Sequence, residues 1–264
     1  KFHWILIRIC DILFAKGENY MQKFKVGSLF AGVGGICLGF KNAEFEDYAY
    51  SLSWANEIDQ YACETYRTNF EHSVLEGDIN KILDTSLCTE DEKERYEQMQ
   101  NEILSKDVDI LTAGFPCQAF SIAGERKGFD DERGNLFLSI VKLVNKMKQK
   151  PRVLFLENVK NLLSHDKGQT YKVIKSEIEK LGYHIKEKVF NTMEMSTLPQ
   201  NRERIYIICF KNKEDYDKFD FTIIEKKYKK KYTSEERSEQ VSNIIDYSLK
   251  ADNKYYYTET KYPH

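Results

Sequence analysis

The stretch "FKVGSLFAGVGGICLGF", residues 24–40, decides how the rest of the chain reads. Its first part, "FKVGSLF" (24–30), is a short apolar run rich in β-formers, as in a buried strand. Gly32, Gly34 and Gly35 then let the backbone turn tightly and come close to a ligand. "ICLGF" opens a helix. The spacing is near the dinucleotide pattern G-x-G-x-x-G but does not match it, so a nicotinamide cofactor and another nucleoside cofactor both stay open.

The same rhythm continues outward. "LSWAN" (52–56), "VDILTAG" (108–114), "RVLFLENV" (152–159) and "RIYIICF" (204–210) read as strands. "LFLSIVKLVNKMK" (136–148) carries apolar residues at 137, 140, 141, 144 and 147, one helical face. "YKVIKSEIEKLG" (171–182) places Tyr171, Ile174, Ile178 and Leu181 at helical spacing and stops at Gly182. Alternating strands and helices predict an α/β fold with a mostly parallel sheet covered on both faces. The charged segment 84–107 reads as a solvated helix on a connection. After about residue 211 the pattern dissolves. The lysine run at 226–231 can touch phosphate or be a solvated linker.

Composition narrows the function. The chain has 264 residues and a formal net charge of −2, which argues against general nucleic-acid coating but allows a local basic face. Its six cysteines form no C-x-x-C pair and have no histidine at ligand spacing, which weakens a zinc reading and fits a reducing cytoplasm. Residues 1–20 are apolar but interrupted by Arg8 and Asp11, too short a run for a membrane span. They read either as an extension upstream of a start at Met21 or as a helix packed on the domain.

Candidate site residues fall at strand ends, where ligands of open α/β sheets sit. Glu57, in "NEID" after the second strand, can grip ribose hydroxyls; Asp78 and Ile79 follow in "GDI". In "GFPCQAFS" (114–121), Pro116 stiffens the approach to Cys117, a candidate nucleophile. "IAGERKGFDDERGNLF" then has the glycine-punctuated composition of a lid. Glu157 ends an apolar strand, where a carboxylate is either paired or poised for proton transfer with a raised pKa. Arg202 and Arg204, two apart before another strand, point to one side and suit a phosphate or a polarised carbonyl oxygen.

The ordered set "FAGVGG", "NEID", "GDI", "GFPCQAFS", "GFDDERGNLF", "ENV" and "QNRERIY" resembles the cytosine carbon-5 DNA methyltransferases of the bacterial modification type, over residues 25 to 210. The resemblance implies the S-adenosylmethionine-dependent methyltransferase (Rossmann-like) fold, with a mostly parallel seven-stranded sheet. It implies S-adenosyl-L-methionine as cofactor, leaving as S-adenosyl-L-homocysteine, held by Phe30, Gly32, Gly34, Gly35, Glu57, Ile58, Asp78, Ile79, Pro116 and Leu136. Cys117, Glu157, Arg202 and Arg204 become the catalytic group, with Gln118 and Ser121 against the backbone of double-stranded DNA. Ile58 stands where the family often has an aromatic residue, which weakens stacking on adenine.

The implied activity is methyl transfer to a flipped-out cytosine in a restriction–modification context, in the bacterial cytoplasm and away from membranes. The implied domains are an extension (1–20), a catalytic cofactor-binding domain (21–212) and a linker leading into an incomplete target-recognition region (213–264). Residues 211–264 do not resemble the family's last motifs, so the expectation is a truncated chain or half of a split enzyme whose second chain supplies the rest. Rival readings are a tRNA cytosine-5 methyltransferase, an inactive remnant that binds DNA or a partner, and a nicotinamide-dependent dehydrogenase.

Overall fold

The computed structural model describes residues 5, 6, 8, 9, 12, 22–43, 48–116, 136–245 and 248. Its centre is a seven-stranded sheet in the order β3-β2-β1-β4-β5-β7-β6. The strands are β1 (Gln22–Leu29), β2 (Tyr48–Glu57), β3 (Val74–Glu76), β4 (Ile110–Ala113), β5 (Val153–Val159), β6 (His184–Asn191) and β7 (Glu203–Phe210). All neighbours are parallel except β7, which runs antiparallel to both β5 and β6. The expected mostly parallel α/β sheet is therefore present.

Strand alternation feeds two apolar layers. Ile205, Ile207 and Cys209 of β7 enter one cluster with Leu154 and Leu156 of β5. Tyr206, Ile208 and Phe210 enter the other with Val153 and Phe155. Helices α3 (Ile79–Leu83), α4 (Glu90–Ser105), α5 (Leu136–Lys146) and α6 (Gln169–Lys180) cover the first face. The periodicity of α5 holds: Phe137, Ile140, Leu143 and Val144 are buried. α4 forms where a solvated helix was expected; a Thr89–Glu92 capping box starts it, and it buries only Tyr96 and Ile103.

The second face takes Phe40 of α1 (Gly35–Lys41) and residues from both ends of the described chain. Ile5, Leu6, Ile9 and Ile12 are buried there, the Tyr50 hydroxyl donates to the Leu6 carbonyl (2.5 Å), and an Arg8 guanidinium N–H donates to that of Lys218 (3.1 Å). Beyond residue 211, where no pattern was evident, lie α8 (Lys213–Lys218), α9 (Phe221–Tyr228) and α10 (Ser234–Ser242), each started by a side-chain cap from Asn212, Asp220 or Thr233. Phe219, Phe221 and Ile224 are buried in the same cluster as Ile5, Leu6, Ile9 and Ile12.

Candidate active site

The carboxyl ends of β1, β2, β3, β4 and β5 lie along one edge of the sheet, and β7 enters at that edge. Leu29 is level with Asn56 and with Ala113, Glu57 with Glu76, Ala113 with Leu156, and Val159 with Arg204. One parallel register thus gathers residues that are far apart in sequence.

At the β1 end, Phe30 sits at φ 53, a left-handed conformation unusual for an aromatic residue. Gly32 (φ 55) and Gly34 (φ 89) share that region. The loop is fixed from inside: Ala31 N–H donates to the Asn56 carbonyl (3.0 Å) and Gly34 N–H to that of Ala31 (2.9 Å). Gly34 is pressed against aromatic rings, since a Cβ there would lie 2.3 Å from Phe70 and 3.0 Å from Tyr66. Those two rings, at the C-terminal end of α2 (Gln60–Asn69), stack 4.3 Å apart, and the Tyr66 hydroxyl is bonded to His72 Nε2 at 2.7 Å. By contrast, a Cβ on Gly32 or Gly35 would meet no atom within 4 Å. The outer side of the loop is open to a ligand, which fits a backbone cradle for a cofactor.

Glu57 faces this loop. Its Oε2 accepts Gly32 N–H (2.8 Å), and its Oε1 accepts the N–H groups of Ile58 (2.8 Å) and Asp59 (2.9 Å). The carboxylate is held in place by backbone N–H groups alone. Asp78 caps α3 through Asn80 N–H (2.8 Å). Ile79 is buried in the core, so its backbone, not its side chain, is what a ligand can meet. Ile58 is 66% exposed and free to pack on a flat ring. Leu136 packs against the core at the start of α5, and Pro116 is exposed.

The second half of the edge holds the charges. Arg204 Nε lies 3.0 Å from Glu157 Oε1, and both side chains are largely buried. Burial pushes the Glu157 carboxyl above the usual range, while Arg204 and Arg202 pull it back down. Glu157 is therefore paired, with Arg204 as its partner. A Cβ added at Gly114 would lie 3.6 Å from Glu157 Oε2 and 3.7 Å from Ile36 of α1, so this glycine joins the two halves of the edge. Arg202 is exposed. Cys117, Gln118, Ser121 and the glycine-punctuated segment after them lie outside the described residues.

Two asparagines had no role in the sequence reading. Asn158 is buried, and its Nδ2 donates to the Phe115 carbonyl (2.8 Å), anchoring the turn that leads to Pro116 and Cys117. Asn56, also buried, donates to the Leu75 and Gly77 carbonyls, each at 2.9 Å, and ties β2 to the Asp78 turn. The signal in the chain was polarity at the end of a buried strand, which demands a partner.

The model of the C-5 cytosine-specific DNA methylase family matches residues 24–264. The chain belongs to this family. It is 41% identical to the type II methyltransferase M.Bsp6I of Bacillus sp. (strain RFL6) over 90% of this chain and 65% of that protein. It is 42% identical to the type II methyltransferase M.HhaI of Haemophilus parahaemolyticus over 73% of this chain and 51% of that one. The chain thus spans about half to two thirds of these relatives. The structure of S. pombe Dnmt2 methyltransferase superposes with a TM-score of 0.51 at 19% identity, covering 73% of this chain and 51% of its own, a likeness of fold.

Proposed function

We propose that this chain carries the catalytic part of a DNA cytosine-5 methyltransferase that uses S-adenosyl-L-methionine, serves a restriction–modification system and works in the bacterial cytoplasm. The observation that carries this reading is the buried Glu157–Arg204 pair, joined through Gly114 to an open glycine cradle. Among the described residues no helix is long and apolar enough to cross a membrane.

The cradle residues would hold the cofactor: Gly32, Gly34 and Gly35 by close backbone approach, Glu57 at the ribose, Asp78 and Ile58 at the adenine. When bound, it supplies an electrophilic sulfonium methyl group. The chain's own residues then address a chemical difficulty, because carbon 5 of cytosine is a poor nucleophile. Addition of the Cys117 thiolate to carbon 6 makes carbon 5 electron-rich. Glu157, kept easy to protonate by burial, holds ring nitrogen 3 and the amino group and neutralises charge there. Arg204 orients Glu157 and, with Arg202, faces the cytosine oxygen and the neighbouring phosphate. Carbon 5 would take the methyl group; loss of its proton to a base then re-forms the 5,6 double bond and expels the Cys117 thiolate. The base must leave the duplex for this, with Gln118 and Ser121 against the opened backbone.

The other cysteines among the described residues support Cys117 as the nucleophile. Burial pushes the thiols of Cys37 and Cys209 up and that of Cys63 up to about 11, and Cys88 is also raised. None of these four is poised to ionise near neutrality. The test is covalent trapping on duplex DNA containing 5-fluorocytosine, with S-adenosyl-L-methionine present. The chain is expected to give a complex that survives denaturation and the Cys117→Ala variant none; equal trapping by both would overturn the mechanism.

A further inference from the structure

The lysine run at 226–231 takes no part in the site above, yet it is not a loose linker. Helix α9 anchors its start by burying Phe221 and Ile224. At the end of α9, Lys230 N–H donates to the Glu194 carbonyl (2.8 Å), and Lys229 Nζ pairs with the Glu194 carboxylate (3.1 Å). Glu194 belongs to α7 (Thr192–Met195), the turn that follows β6. Downstream, Arg237 stacks 4.1 Å over the Tyr232 ring and donates to the Met193 carbonyl. The run is held on both sides.

The place where it is held matters. Thr192 N–H donates to the Arg202 carbonyl (3.0 Å), and Arg202 N–H donates to Asn191 Oδ1 (3.2 Å). The turn that docks the lysines is therefore itself docked on the segment bearing Arg202. That puts Lys229–Lys231 at the catalytic edge of the sheet. Asp220, which opens α9, lies eleven residues before Lys231, and α9 carries the chain from there toward α7.

Charge completes the picture. Lys229 is matched by Glu194, and Glu225 is taken by Lys188 at 2.7 Å. Lys227, Lys230 and Lys231 are exposed, and no carboxylate among the described residues forms an ion pair with them. In a chain of net charge −2 this is a local concentration of positive charge. Ordered backbone with free ammonium groups suits a sequence-independent polyanion, whose phosphates need charge rather than shape.

We propose that Lys230 and Lys231 contact the sugar–phosphate backbone of duplex DNA beside the target base, clamping the duplex against the catalytic edge. The proposal rests on the DNA methyltransferase reading. It is tested by fluorescence anisotropy of a labelled duplex with the 264-residue chain over a range of salt. The Lys230→Ala/Lys231→Ala variant is expected to bind every duplex sequence more weakly, and the slope of log affinity against log salt should fall by about two, one for each phosphate no longer neutralised. The Lys146→Ala/Lys148→Ala variant, with its charges between α5 and the start of β5 at the opposite edge, is expected to keep the wild-type slope. Equal slopes for the wild type and the 230/231 variant, with both folded by thermal melting, overturn the proposal and leave the methyltransferase reading standing. Absence of salt-dependent duplex binding by the wild type overturns both.

Discussion

The two halves of the candidate site edge are built by different physics. On the β1–β2–β3 side, polar groups are satisfied by backbone. Glu57 accepts three main-chain N–H bonds, Asn56 donates to two carbonyls, and Gly34 is wedged under Phe70. On the β4–β5–β7 side the central contact is one ion pair, Glu157 with Arg204, withdrawn from water but not sealed. A backbone-satisfied site keeps its shape whether or not a ligand is present. A side-chain ion pair is easier to open, a freedom that the proposed binding and release of a flipped base would use.

The largest break in this contrast is expected at Gly34. Gly34→Ala forces a Cβ into a positive-φ position and against the Phe70 ring; strain and overpacking together should cost about 3 kcal/mol and abolish cofactor binding, read by urea unfolding and calorimetry. Gly35→Ala, in open space, should leave stability within about 0.5 kcal/mol while weakening the cofactor. Equal stability losses would mean that the cradle is not wedged.

Next comes the ion pair. Glu157→Ala or Arg204→Ala each strands a largely buried partner and should cost about 2 kcal/mol, and the double variant less than the sum of the singles. An additive double-mutant cycle would deny the coupling. Asn158→Ala follows, at about 1–2 kcal/mol, because the Phe115 carbonyl loses a buried donor. It should slow 5-fluorocytosine trapping more than it weakens cofactor binding, whereas Asn56→Ala, on the other half, should do the reverse.

The smallest effect is in pH. Burial raises the folded-state pKa of Glu157 above its ordinary value of 4.5. Its favourable contribution is therefore complete below that value and is lost as pH rises through the folded pKa. Glu157→Gln removes this titration, so the stability of the wild type relative to the variant should fall as pH rises above the ordinary carboxylate range. A difference that grows with pH would show that Arg204 outweighs burial.

Much of this edge is legible in the chain because apolar runs end abruptly in polar residues. "RVLFLENV" and "RIYIICF" announce both a strand and a site, and the glycine turn announces a close approach. β6, "HIKEKVFN", is not legible: it is a half-buried edge strand whose charged residues mask the β pattern. The helices after residue 211 carry readable caps at Asn212, Asp220 and Thr233, but few apolar residues between them. Phe70 against Gly34 and Lys230 against Glu194 join residues 36 apart in sequence, and local pattern says nothing about such meetings.

β7 enters the sheet at the edge where its neighbour β5 ends, with Val159 level with Arg204 and Glu157 level with Tyr206. Even-numbered residues of β7 therefore share a face with Glu157. A slip of one position would present Glu203 or Ile205 instead, replacing attraction with repulsion or with nothing. The same slip would turn Ile208 and Phe210 out of their layer. Reactivity and core thus share one alignment error: a chain that misregisters this strand loses its stability along with its chemistry, so a faulty copy is removed by unfolding rather than left as a well-folded, mischarged protein.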